Sequence, residues 1–321
     1  MGKTTIRWFD VSINPIRAHV SMNPIRGDIK PFLDSTRFDE VLRRKKPRKY
    51  VWCDRTDIFG EWVPDAWIDQ IAGMMWDAHW HTHIILSKHP ERMQHYFASK
   101  DRAHSIACAS HTLFQARDPR KAAAVPVEAF VAALSLPLHN LWLGTSIENQ
   151  ATADERIPFL LQTPAAIRFL SAEPLLEAID FRLDHQGIPH GRWGEALGPC
   201  GYYCDEAVGH IDHRTRIDQI ICGGESGPHA RPCDLSWIED IIAQCDTAGI
   251  SCFIKQLGAR PWMTDLRSHE GFPAHIYSRT DTTGSHPSAY ELHGFKSKAA
   301  ADPLEWPAGI RVQEFPVRQG A

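Results

Sequence analysis

Short apolar runs recur along the chain, and each stops at residues that a core does not accept. "KYVWCDRTD" (49–57) closes on Asp54, Arg55 and Asp57, "THIILSKHPER" (82–92) on Ser87, Lys88 and Pro90, and "NLWLGTSIENQ" (140–150) on Thr145, Ser146 and Glu148. "AIRFLSAEPLL" (166–176) closes on Ser171, Glu173 and Pro174, "DQIICGGESG" (218–227) on Gly223, Gly224, Glu225 and Ser226, and "SCFIKQLG" (251–258) on Lys255 and Gln256. Their length, β-branched content and polar ends predict buried strands. Segments of helical period lie between them, at 64–79, 90–100, 152–163 and 234–249. Proline in a first turn or an Asp or Thr cap marks their starts, and Gly249 stands where a helix is expected to stop. In "DLSWIEDIIAQC", Leu235, Ile238, Ile241 and Ile242 recur at three- and four-residue spacing, one apolar stripe for a sheet to cover.

Strand and helix in alternation predict an α/β fold whose parallel sheet is covered by helices, a (β/α) barrel or partial barrel. One domain over 1–321 is expected, with a loop-rich insertion at 183–217 and a C-terminal extension at 259–321. Parallel sheets of this kind bind ligands at the carboxyl ends of their strands. The tips are therefore expected to converge on one mouth, with Asp57, Lys88, Thr145, Glu148 and Glu173 on its rim beside Gly223, Gly224, Glu225, Ser226, Lys255 and Gln256. Arg92 and Arg231 would be available for an anionic group. Any single tip taken alone reads first as a helix cap, and it is the set that points to a ligand.

Composition narrows the class. The chain has 321 residues, 43% of them apolar and 23% charged, enough to bury a large core. Its formal net charge of −4 gives no overall basic surface, so contact with nucleic acid would need a local patch. The run "RRKKPRK" (43–49) is such a patch in the sequence, although solvated charge is the default reading of a basic run. No apolar run reaches the length of a membrane helix and no signal-like segment opens the chain, so a cytoplasmic protein without membrane contact is expected. The eight cysteines are dispersed, which favours free thiols or metal ligands over a disulfide frame.

Several motifs fail. "GGESG" is no G-x-S-x-G nucleophile elbow, since Gly227 directly follows Ser226, and neither a Walker A loop nor a complete G-x-G-x-x-G occurs. His79, His81, His83, His89 and His95 follow no metal-binding spacing and read as satisfied or solvated side chains. "GPCGYYCDEAVGHIDH" (198–213) is more specific: Cys200, Cys204, His210 and His213 supply four zinc-type ligands within the insertion, where a structural zinc would order a segment lacking apolar periodicity.

"SKHPERM", "LWLGTSIENQATADERIPFLLQTPAAIRFLSAEPLL", "GGESGPHARP", "FIKQLG" and "DPLEWPAGIRVQEFP" resemble segments of an uncharacterised phage-associated protein family, named after phage gene products thirty-seven and sixty-eight. The resemblance extends from "TTIRWFD" to "EFP". It implies a radical-SAM-like barrel of phage or prophage type. It also implies three cysteines near the N-terminus that hold an iron–sulfur cluster, on whose open iron S-adenosylmethionine is chelated. This chain departs from that pattern: "SINPIRAHVSMNPIRGDIKPF" (12–32) has two Asn-Pro elements, Asn14-Pro15 and Asn23-Pro24, and no cysteine precedes Cys53. Cys200 and Cys204 do not replace the lost ligands, because Ala207 stands where the third thiolate would be.

Three functions follow. The first is a barrel that has lost the cluster and keeps a nucleotide or small-molecule pocket. The second is an enzyme performing non-radical acid–base chemistry on a nucleotide or nucleic acid with the tip carboxylates and lysines. The third is a zinc-containing module that binds nucleic acid or a protein.

Overall fold

A computed structural model of the chain describes residues 9–19, 30–183, 216–263, 277–279, 290–292, 295 and 299–316. The strands are β1 (Val11–Ile13), β2 (Ile16–His19), β3 (Lys30–Leu33), β4 (Lys49–Trp52), β5 (Thr82–Ser87), β6 (Leu141–Ser146) and β7 (Ile167–Ala172). They continue with β8 (Gln219–Gly223), β9 (Cys233–Asp234), β10 (Ser251–Gln256), β11 (Pro261–Met263), β12 (Tyr277–Arg279) and β13 (Tyr290–Leu292). The helices are α1 (Thr36–Arg43), α2 (Asp65–Asp77), α3 (Pro90–Ala98), α4 (Arg102–Arg117), α5 (Pro119–Ala122), α6 (Val127–Ala133), α7 (Gln150–Gln162) and α8 (Leu235–Ala248).

The expected α/β architecture is present. A seven-stranded parallel sheet runs in the order β1-β4-β5-β6-β7-β8-β10, and among the described residues helices lie in every crossover except that from β7 to β8. Because β1 and β10 end the order, the ladder is open among the described residues, the partial form of the (β/α) arrangement. All six residues of β6 and all six of β7 are buried, as both faces of a parallel strand must be when helices cover the sheet. A second sheet, β12-β13-β11-β9, and the antiparallel β2–β3 hairpin lie outside this ladder.

By internal contacts the chain forms two compact units. One is Phe9–Thr145 with Gln162–Ile167; the other comprises Ser146–Leu161 and the described residues from Arg168 onward. In the first, Ile13, Tyr50, Trp52, Ile84 and Leu143 form the sheet side of a core that Ile68, Ile71, Met74 and Ile106 close from the helices. Buried His83 accepts a hydrogen bond from Trp52 Nε1 at 3.0 Å, and its other ring nitrogen lies 3.3 Å from the Ala78 carbonyl. Burial pushes its pKa down to about 3, so it is a neutral core histidine. His81 is held likewise by Arg48 N–H and the Val41 carbonyl. Satisfied histidines, expected from the sequence, are what these two positions contain.

Helix α4 packs on α2 where a Cβ on Gly73 would come within 2.8 Å of Ser110 N, so the two backbones approach closely. Arg102 ties the pair together. Its guanidinium donates to Asp69 at 2.7 Å, to Asp65 at 2.9 Å and to the Tyr96 carbonyl at 3.0 Å, and it lies 3.7 Å from the Tyr96 ring centroid. In the second unit, α8 starts at Asp234, whose carboxylate accepts from Ser236 N, and ends at Gly249 in the left-handed region at φ 62°. The predicted cap and stop are both in place, and the stripe Leu235, Ile238, Ile241 and Ile242 is buried.

Two predictions follow from this packing. Arg102→Met should destabilise the protein by roughly 2–4 kcal/mol in urea unfolding, since it leaves the half-buried Asp69 carboxylate without its cation. The second concerns Asp77, whose carboxyl burial raises from 3.8 to about 6 although it accepts a 2.7 Å hydrogen bond from Ser110 Oγ. Below 3.8 both folded and unfolded chains hold the proton; between 3.8 and about 6 only the folded chain does, so stability is lost across that window and stays lost above it. Asp77→Asn keeps the acceptor and removes the charge. It should be more stable than the parent by up to about 3 kcal/mol near neutral pH, with no difference once the pH falls below the ordinary carboxylate range.

Candidate functional site

In the unit containing β4 and β5, the strand tips are bound to each other. Asp57 accepts from Ser87 Oγ at 2.7 Å, Lys88 N at 2.6 Å and Phe59 N at 2.9 Å, so both carboxylate oxygens are used in fixing the two tips. Ser87 Oγ in turn accepts from His89 N at 2.9 Å, just before α3. Arg92 reaches back to the carbonyls of Gly60 and Val63 and to Asp65. Fully buried Thr145 donates its hydroxyl to the Ser87 carbonyl at 2.9 Å. Asp57, Arg92 and Thr145, expected from the sequence to face a ligand, are therefore engaged in holding loops. Lys88 is exposed.

The tips of β7, β8 and β10 are arranged differently. Beyond β7, Glu173 receives Lys255 Nζ and Ser171 Oγ on one oxygen, Oε2, at 3.2 and 3.3 Å. Its other oxygen, Oε1, is buried and has no hydrogen-bond partner. At the end of β8, a Cβ on Gly223 would lie 3.1 Å from that Oε1 and 2.8 Å from the Gln256 carbonyl, and one on Gly224 would lie 2.3 Å from the Leu257 carbonyl. The two glycines are thus required by close approach. Gln256 completes a reciprocal pair with Gly224: Gly224 N donates to the Gln256 carbonyl at 3.1 Å, and Gln256 Nε2 donates to the Gly224 carbonyl at 3.0 Å. The pairing of β10 with β8 slips between Ile254 and Gln256, which leaves Lys255 outside the register.

Glu225 has a structural partner that the sequence reading did not foresee. Both its oxygens accept from the Arg231 guanidinium, at 2.8 and 3.1 Å, and Arg231 N adds a third bond at 2.8 Å. These hydrogen bonds lower the Glu225 carboxyl to about 2. The pair closes the exposed loop that carries Ser226 and the left-handed Gly227. Glu148 is likewise paired: Arg156 NH1 lies 3.2 Å from its Oε2 and also donates to the Ser146 carbonyl at 2.7 Å. Of the sequence candidates, Glu173, Gly223, Lys255 and Gln256 are the ones brought around a common point, and Glu173 alone among the tip carboxylates keeps a buried oxygen unpaired.

A thiolate-held cluster does not fit the described residues. Cys53, Cys222, Cys233, Cys245 and Cys252 are buried free thiols. Burial pushes Cys53 and Cys233 up to about 12 and Cys222 well above its ordinary value; for Cys245 the hydrogen bond with Cys252 acts first and burial second, in the same direction. Ligation requires the deprotonated form, which this environment opposes. No group of three or more His, Cys, Asp or Glu among the described residues is placed to hold a metal. The zinc candidates Cys200, Cys204, His210 and His213 lie outside the described residues, as does the Asn23-Pro24 element. No helix among the described residues is long and apolar enough to cross a membrane.

Comparison with known proteins gives one family. The model of a family described as protein of unknown function, DUF5131, matches residues 16–273, and the chain belongs to that family. No curated protein and no solved structure matches it.

The clasp between Glu225 and Arg231 makes a direct prediction. Glu225→Gln should speed amide hydrogen exchange across residues 225–231 while leaving the melting temperature nearly unchanged, as read by mass spectrometry and calorimetry side by side.

Proposed function

Starting from membership of the DUF5131 family, we propose that the protein is a cluster-free, radical-SAM-like member of phage or prophage type that binds a nucleotide or similar small polar molecule beside Glu173. The phage association and the radical-SAM kinship rest on the resemblance of the tip segments; the loss of the cluster rests on the absence of any cysteine before Cys53. The observation that carries the binding site is the unpaired, buried Oε1 of Glu173. A buried carboxylate oxygen without a donor is costly, and a ligand hydroxyl or amine that donates to it removes that cost. A ribose hydroxyl or the exocyclic amine of a base has the required chemistry, and Lys255, on the adjacent oxygen, suits the negative charge of a phosphate. The same Lys255–Glu173 pair is what an acid–base enzyme would use, which is the second reading.

Calorimetric titration with adenosine, its mono- and triphosphates and S-adenosylmethionine tests the proposal. At least one should bind, and Glu173→Gln should weaken it about tenfold or more while the fold stays intact, because a hydrogen bond to a charged group is lost. Turnover of a bound nucleotide that Lys255→Met abolishes would establish the second reading. If none of the four binds, or if Glu173→Gln raises the melting temperature and leaves affinity unchanged, Glu173 is only a strained structural residue.

A further inference from the structure

The basic run 43–49, read from the sequence as solvated charge, does not stand alone in the folded unit. Arg43, Arg44, Lys45 and Lys46 are exposed where α1 ends and the chain turns towards β4. Arg117, in the last turn of α4, lies 3.6 Å from Asp39 of α1, the carboxylate that Arg43 also contacts, and exposed Arg120 and Lys121 follow it within four residues. Residues more than seventy positions apart in sequence thus share one surface.

The carboxylates there are already occupied. Asp39 is taken by Arg43 at 3.3 Å as well as by Arg117, Glu40 by Arg37 at 3.4 Å and Arg44 at 3.9 Å, and Asp118 by Lys121 at 3.1 Å. Lys45, Lys46, Arg48 and Arg120 have no carboxylate partner among the described residues. Basic side chains at helix C-termini are favoured by the helix dipole, which accounts for Arg43 and Arg117. It does not account for Lys45, Lys46 and Arg48, which lie beyond the end of α1. A protein with 39 acidic and 35 basic residues has nonetheless gathered an excess of cations on one face.

We propose that this face binds the sugar–phosphate backbone of a nucleic acid, without base recognition. Several fixed cations spread along a surface match a polymer that carries a phosphate at every step, and release of its counterions drives association. An anionic membrane fits less well. The exposed large apolar residues among those described, Trp62 and Leu304, belong to neither basic segment, so no wedge enters a bilayer. The one large aromatic in contact with the run, Trp80, is turned to the protein: its indole N–H donates to the Arg44 carbonyl at 2.7 Å and Lys45 Nζ lies 4.3 Å from the ring centroid. The proposal shares no residue with the Glu173 site and does not depend on it.

Fluorescence anisotropy with a labelled DNA duplex and with a labelled single strand tests this directly. Binding should be measurable at low ionic strength and fall steeply as salt rises, with a log–log slope of roughly 0.9 per phosphate contacted. Lys45→Glu with Lys46→Glu, and separately Arg120→Glu with Lys121→Glu, should each cost about tenfold or more in affinity and flatten the slope, with melting unchanged. Two independent pairs guard against a variant that fails to fold. The proposal is overturned by the absence of salt-sensitive binding to either DNA, by affinity that survives both charge reversals, or by stronger binding to phosphatidylserine vesicles than to DNA.

Discussion

A parallel strand covered on both faces has little place for a charge away from its ends. β6 and β7 are buried at all six positions each, and β8 at all five. Every carboxylate, lysine and hydroxyl in these segments is therefore driven to the tips, where backbone N–H groups, loop carbonyls and neighbouring tips compete for it. The chemistry this chain can perform is decided by which tip groups that competition leaves over.

At β4 and β5 nothing conspicuous is left over. Asp57 spends both oxygens on Ser87, Lys88 and Phe59, and Arg92 spends its donors on Gly60, Val63 and Asp65. At β7, β8 and β10 the outcome differs because two glycines let neighbouring segments approach more closely than any Cβ allows. Gly223 lets the backbone pack against Glu173 Oε1 and the Gln256 carbonyl, and Gly224 lets it meet Leu257 at a separation no Cβ tolerates. The slip in register of β10 then frees Lys255 to reach the other oxygen of Glu173. Glu173 is the tip carboxylate that the fold supports without satisfying.

The sheet was largely legible in the sequence because buried parallel strands are written as uninterrupted apolar runs with polar ends. Six of the seven strands of the ladder and the helices α2, α3, α7 and α8 announce themselves in this way. β1 does not, having only three residues, nor does α4, whose buried positions are Arg102, Ile106, Ala107 and Ser110 instead of a large apolar stripe. Its packing depends on smallness opposite Gly73 and on one buried guanidinium, neither of which hydrophobic periodicity reports. The site was legible as a list of tips and illegible as a hierarchy. Sequence cannot say that Arg231 closes on Glu225 across six residues, or that Arg92 turns back to the loop before α2, because both depend on where the intervening chain turns. Glu173 is distinguished from Glu225 and Glu148 only by the partners it lacks.

Asn14 has a fastening task at the amino-terminal edge of the sheet. Asn14, directly after β1, donates to Asp54 Oδ1 at 2.6 Å and to Ser12 Oγ at 3.3 Å, and its own Oδ1 accepts from Arg55 N at 3.3 Å. It thereby fastens the end of β1 to the loop that follows β4, while Cys53 N donates to the Ile13 carbonyl at 2.9 Å. The first cysteine of the chain is consequently fixed beside β1 with its side chain buried and its thiol held protonated, in a position governed by backbone pairing. An amide that bridges two strand ends needs no metal to hold the loop in place. The Asn14-Pro15 element therefore has a structural role at the end of β1 that its hydrogen bonds account for by themselves.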